Sequence, residues 1–231
     1  MNEVLRQERK FLIGTVQMYT MTCRLGGVMR EDPNNRGQGY LIRSLYFDSL
    51  DNRDFHEKED GVELRRKLRL RCYSPDADFA VLEMKQKQGN RQLKRGLRLT
   101  RKDAARLAKG DTSVLLRYDE PFAAECYGVM QMHLYLPRSV VEYRRKAFIA
   151  RENKIRITFD HRITATESCT DIFSPVLLQS PVLGQNLAVL EVKYNGFLLG
   201  YIKDLLRGVE NSELSVSKYC LSRGVSMHCA F

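Results

Sequence analysis

The chain has 231 residues, 43% of them hydrophobic, and its 38 Lys+Arg against 28 Asp+Glu give a formal net charge of +10. That length can bury a real core as a single domain over residues 1–231, and the cation excess favours anionic partners: nucleic acid, nucleotide, inorganic phosphates or an acidic membrane surface. No apolar run approaches the roughly 20 residues that cross a bilayer, and the charged start (Glu3, Arg6, Glu8, Arg9, Lys10) lacks a signal-peptide core, so a cytoplasmic chain is expected, with any membrane partner on a separate chain.

In chain order, Leu41 to Phe47, "LIRSLYF", reads as a strand that runs into the turn-like Asp48 to Asn52. Lys67 to Tyr73, "KLRLRCY", alternates cations with apolar residues at a period of two, so Leu68, Leu70 and Cys72 share one face and Lys67, Arg69 and Arg71 the other. Phe79 to Gln88 repeats the pattern, with Val81, Glu83, Lys85 and Lys87 opposite Leu82 and Met84. Gly89-Asn90 turns the chain into Arg91 to Thr100, where Lys94 and Arg98 share a face, and an antiparallel meander results.

A helix over Arg101 to Lys109 starts after Thr100 as N-cap and stops at Gly110. A second, over Glu120 to Leu136, has Pro121 in its first turn. Val140 to Ala150, Lys154 to Asp160 and Leu187 to Tyr194 are further strands, and short helices over Phe197 to Arg207 and Leu214 to Ser222 end the chain. "VLEMK" at 81–85 and "VLEVK" at 189–193 are near copies, which suggests two halves of similar design. The expected fold is therefore α+β, a closed antiparallel β-barrel tunnel with helices packed outside.

Five or more strands carry charges in phase on one face. If the apolar faces lie under helices, the charged faces line an interior, where cations must be paired or meet an anion. Glu83 beside Lys85, Glu191 beside Lys193 and Glu8 beside Lys10 offer partial pairing, and the surplus cations suit a polyphosphate chain. Carboxylates among the cations fit a divalent metal beside phosphate oxygens better than a nucleic-acid strip, so no nucleic-acid partner is expected. The six cysteines and four histidines are scattered, with no C-x-x-C pair, H-E-x-x-H, Walker A, G-x-S-x-G or G-x-G-x-x-G pattern. They are read as structural.

In order, "RQERKF" (6–11), "SLYFDS" (44–49), "KLRLRCY" (67–73), "VLEMK" (81–85), "EYRRKAF" (142–148), "KIRITFD" (154–160), "VLEVKY" (189–194) and "SKYCLSRG" (217–224) resemble the blocks of the VTC domain, the polyphosphate polymerase branch of the triphosphate tunnel metalloenzymes, also called CYTH-like. The resemblance implies transfer of the γ-phosphate of ATP to a growing polyphosphate chain, with Mn²⁺ or Mg²⁺ as cofactor. It implies phosphate-holding roles for Arg69, Arg71, Lys85, Arg145, Arg156 and Lys193, substrate contacts for Lys10, Lys94 and Lys218, and metal ligation by Glu191 with Glu8. Two departures bear on this. Ser215 stands where the family often has a second lysine, and Glu8 with Lys10 leans toward the E-x-E-x-K pattern of hydrolytic tunnel enzymes, although position 6 is Arg. A triphosphatase and a non-catalytic polyphosphate-binding module stay open beside the polymerase.

Overall fold

The computed structural model describes residues 6–35, 37–89, 91–209, 213 and 216–228. The readings that fall on Asn90, Leu214, Ser215 and Cys229 lie outside them. The elements in chain order are β1 (Arg6–Gly14), α1 (Thr15–Gly26), β2 (Arg30–Glu31), β3 (Tyr40–Asp48), α2 (Arg53–Glu59), β4 (Leu64–Cys72), β5 (Phe79–Gln88), β6 (Arg91–Thr100), α3 (Arg101–Leu107), α4 (Pro121–Met132), β7 (Leu136–Ile149), β8 (Arg156–Thr166), β9 (Ser180–Pro181), β10 (Leu187–Asn195), α5 (Gly200–Leu206) and α6 (Lys218–His228). Short 3₁₀ turns cover Thr112–Arg117 and Glu152–Lys154.

Two compact units share these elements. The first takes Met1–Leu41, Tyr143–Ile163 and Pro181–Ser217; the second takes Ile42–Glu142, Thr164–Ser180 and Lys218–Phe231. In the first, the strand order is β1-β10-β8-β7, and in the second it is β7-β3-β4-β5-β6. Strand β7 passes from one unit into the other.

Each unit has its own core. In the first, Phe11 and Ile13 of β1, Phe159 of β8 and Leu190 and Val192 of β10 pack with Met18, Met21 and Leu25 of α1 and with Ile202 and Leu206 of α5. In the second, Leu68 and Leu70 of β4, Leu82 and Met84 of β5 and Leu97 and Leu99 of β6 pack with Ala104 and Leu107 of α3 and with Ala123, Cys126 and Met130 of α4. The apolar faces therefore lie under helices, as the period-two pattern requires.

The closed barrel is corrected. The strand order is an open path whose ends are β1 and β6, and among the described residues the edge of β1 meets only an isolated bridge from Phe11 to Glu213. Alternation fixes which face is apolar but carries no information about which edges pair, so closure did not follow from it.

Candidate functional site

The strand pairing stacks the charged residues in rungs. In the second unit, Tyr46, Arg69, Glu83 and Gly96 lie abreast on β3, β4, β5 and β6; Ser44, Arg71, Val81 and Arg98 form the next rung, and Lys67, Lys85 and Lys94 another. Arg69 Nε donates to Glu83 Oε2 at 2.7 Å and its Nη1 to the Tyr46 hydroxyl at 3.3 Å. Arg71 Nη1 lies 3.7 Å from the same Glu83 oxygen, and Lys94 Nζ lies 2.5 Å from Glu83 Oε1. A side chain at Gly96 would crowd Val81, 3.2 Å from the added Cβ.

This face is only partly solvated: the Lys94 side chain is 48% exposed and Arg69 is half-buried. Arg71 is 6% exposed and Glu83 4%, while Leu68 and Leu70 on the other face are wholly covered. Burial alone would raise the Glu83 pKa, but the charges of Arg69, Arg71 and Lys94 outweigh it and hold the carboxyl at about 2. Burial lowers the Lys94 pKa, against the pull of Glu83 and with help from Arg71 and Arg69. Burial would also raise the Tyr46 hydroxyl, yet Arg69, Arg71 and Lys218 bring it below its ordinary value. Three lysines abreast and an acidified phenol mark a strongly positive surface.

At the start of α6, Lys218 precedes Tyr219, whose ring stacks on Tyr46 with centroids 5.3 Å apart. The Lys67 ammonium lies 5.7 Å from the Tyr219 ring centroid. The Tyr219 hydroxyl donates to Asp48 Oδ2 at 2.5 Å.

In the first unit, three rungs cross β1, β10 and β8: Leu12, Val189 and Asp160; Lys10, Glu191 and Thr158; Glu8, Lys193 and Arg156. Lys10 Nζ lies 3.0 Å from Glu8 Oε1 and Lys193 Nζ 3.8 Å from Glu8 Oε2, and Lys193 also pairs closely with Glu191. Arg145 donates from Nε and Nη2 to the two Asp160 oxygens at 2.6 and 2.8 Å, and its Nη2 lies 3.9 Å from Glu191 Oε2. Burial would lower the Arg145 pKa, but Asp160, Tyr143 and Glu191 hold it well above its ordinary value. Arg156 Nη2 donates to Asp32 Oδ2 at 2.6 Å and to the Tyr40 hydroxyl at 3.1 Å.

Of the residues named from sequence, the structure gathers Glu8, Lys10, Arg145, Arg156, Glu191 and Lys193 on one charged face of the first unit, and Arg69, Arg71, Lys85, Lys94 and Lys218 in the second. Tyr46, Thr158, Asp160, Asp32, Tyr40 and Tyr219 join them and were not on that list. Asp160 orients Arg145.

A divalent ion needs hard oxygen donors. Glu8 and Glu191 supply two carboxylates, both touching Lys193, and the Thr158 hydroxyl, one strand over from Glu191, is buried with no hydrogen-bond partner. Among the described residues no group of three or more His, Cys, Asp and Glu side chains could hold an ion by itself. The donor set therefore fits an ion that arrives with phosphate oxygens completing its shell, as Mg²⁺ commonly does.

Solved structures share the fold. A candidate adenylate cyclase from Bacillus halodurans aligns with a TM-score of 0.55 at 12% identity, covering 92% of this chain and 95% of that one. A candidate adenylyl cyclase from Hippeastrum, with a dominant triphosphatase activity, aligns at 0.54 and 14% identity, covering 95% and 96%. No curated protein matches the chain. The VTC domain model matches residues 5–227, nearly the whole sequence, and the chain that carries these two cation-rich, carboxylate-tethered faces belongs to the VTC domain family.

Proposed function

We propose that the chain is a polyphosphate polymerase of the triphosphate tunnel type: ATP and a polyphosphate chain yield ADP and a chain one phosphate longer. The observation that carries this reading is the burial of Arg71 and Arg145, both below a tenth exposed, each tethered by a carboxylate on a face that it shares with lysines of other strands. In the second unit Arg69 and Arg71 present planar forks for bidentate phosphate contacts and Lys85, Lys94 and Lys218 offer movable point charges; in the first, Arg156 and the lysines Lys10 and Lys193 offer the same two kinds of contact.

Phosphoryl transfer asks the protein mainly for alignment and charge neutralisation. A terminal phosphate oxygen is already ionised at neutral pH, so the acceptor needs no general base. Glu191 and Glu8 would hold Mn²⁺ or Mg²⁺, which when bound would neutralise charge on the transferring group.

The test is incubation of the protein with ATP and Mn²⁺, resolving ADP, orthophosphate and long-chain polyphosphate. Polyphosphate matched by ADP is expected, with at least a hundredfold loss in Glu191→Gln and in EDTA. Glu8 and Lys10 on β1, together with the activity of the Hippeastrum protein, favour a triphosphatase as the second reading, and orthophosphate without polymer would select it. Polyphosphate binding without turnover would leave a binding module.

A further inference from the structure

The β1–β10 ribbon has a second basic hollow on its other face. Side chains alternate along a strand, so Arg9 on β1 and Tyr194 on β10 point away from the face that carries Glu8, Lys10, Glu191 and Lys193. They line a cavity of about 500 Å³ with Phe197, Leu198, Lys203 and Arg207, all within the first unit. That volume lies in the range of sites for small organic ligands.

Two features of its wall point to the class of ligand. One is charge: Arg9 is held in place by Glu213, with hydrogen bonds of 3.1 and 2.7 Å, and by the Phe11 ring 5.1 Å away, while Lys203 and Arg207 stand exposed on and after α5, Arg207 paired with Asp204 Oδ1 at 2.9 Å. The other is an uncovered ring. Phe197 is 64% exposed on a turn that Gly196 makes at φ +73° and that Asn153 ties down by donating to the Phe197 carbonyl at 2.7 Å. A bare phosphate chain would use Lys203 and the two arginines and leave the exposed Phe197 ring idle. An apolar ligand would leave the exposed Lys203 ammonium idle. A base joined to phosphates uses both, with the base stacked on the ring and the phosphates on Arg9, Lys203 and Arg207.

We propose that this hollow is an accessory site for a nucleoside di- or triphosphate, separate from the charged face on the other side of the ribbon. The site does not depend on the polymerase reading. It gives the chain a means of sensing nucleotide apart from any it consumes.

The experiment is photolabelling of the full chain with an azido-adenine triphosphate, mapping the labelled peptide and protecting it with unlabelled ATP or tripolyphosphate. Label is expected in segment 195–207, with ATP protecting at a concentration at least tenfold lower than tripolyphosphate. Phe197→Ala and Lys203→Glu change exposed side chains and so keep the fold; each should cut labelling of that segment about tenfold or more. An unlabelled segment, full labelling in both variants, or tripolyphosphate protecting as well as ATP would each overturn the nucleotide site.

Discussion

Glu83 shows how much a single side chain does in the second unit. Its carboxylate is shared by Arg69, Arg71 and Lys94, and its folded pKa of about 2 lies below the ordinary 4.5. A depressed carboxyl stabilises the fold above its unfolded pKa and loses that contribution as pH falls through the folded one. Glu83→Gln should therefore lower stability at pH 7, by an amount on the order of 3 kcal/mol, and flatten the loss of stability between pH 4.5 and 2. Urea midpoints across that range test it; parallel curves for the two proteins would refute it. The cations themselves were legible in the sequence, because a lysine or arginine at every second position announces its face. So were two carboxylate partners, Glu8 for Lys10 and Glu191 for Lys193, whereas Tyr46 and Asp160 meet Arg69 and Arg145 only through the pairing of distant strands, which no local pattern encodes.

At the scale of elements, β5 and β6 occupy the ranges expected from alternation, 79–88 and 91–100, because two strands joined by a glycine turn declare themselves locally. Helices α1 and α2 did not. Gly14 opens α1 with no side-chain cap, and α2 follows Asn52 in the left-handed region at φ 56°; its orphan amides at Asp54 and Phe55 are capped from Asp48, outside the helix, at 2.8 and 3.0 Å. The first turn of α2 also buries Asp54. Burial first, then the neighbouring Asp48, lifts its pKa from 3.8 to about 8, although the Tyr135 hydroxyl donates to it. A raised carboxyl contributes stability that is whole below the unfolded pKa and lost as pH rises through the folded one. Asp54→Asn should thus remove a decline in stability between about pH 4 and 8, read as a melting temperature that no longer drifts down over that interval. Gly39 makes a second demand: at φ +97° its added Cβ would lie 2.3 Å from the Arg145 carbonyl oxygen. Gly39→Ala should cost about 2 kcal/mol or more and displace Arg145, which denaturant midpoints would register; an unchanged midpoint would count against this account.

For the whole molecule, a formal charge of +10 predicts that affinity for tripolyphosphate falls steeply with salt. Between about 0.1 M and 1 M KCl the screening length shrinks from about 10 Å to about 3 Å, and titration calorimetry should show at least a tenfold weakening. A flat response would mean that buried contacts alone hold the ligand. The α+β class and the helix-covered apolar faces could be read from the sequence, whereas the open strand order could not, since alternation is silent about edges.

The routing of the chain has a further consequence. It changes unit at 41/42, 142/143, 163/164, 180/181 and 217/218, so each unit is assembled from three separated stretches. No single cut in the gene isolates either one, so any truncation that removes the whole of one unit also takes segments of the other.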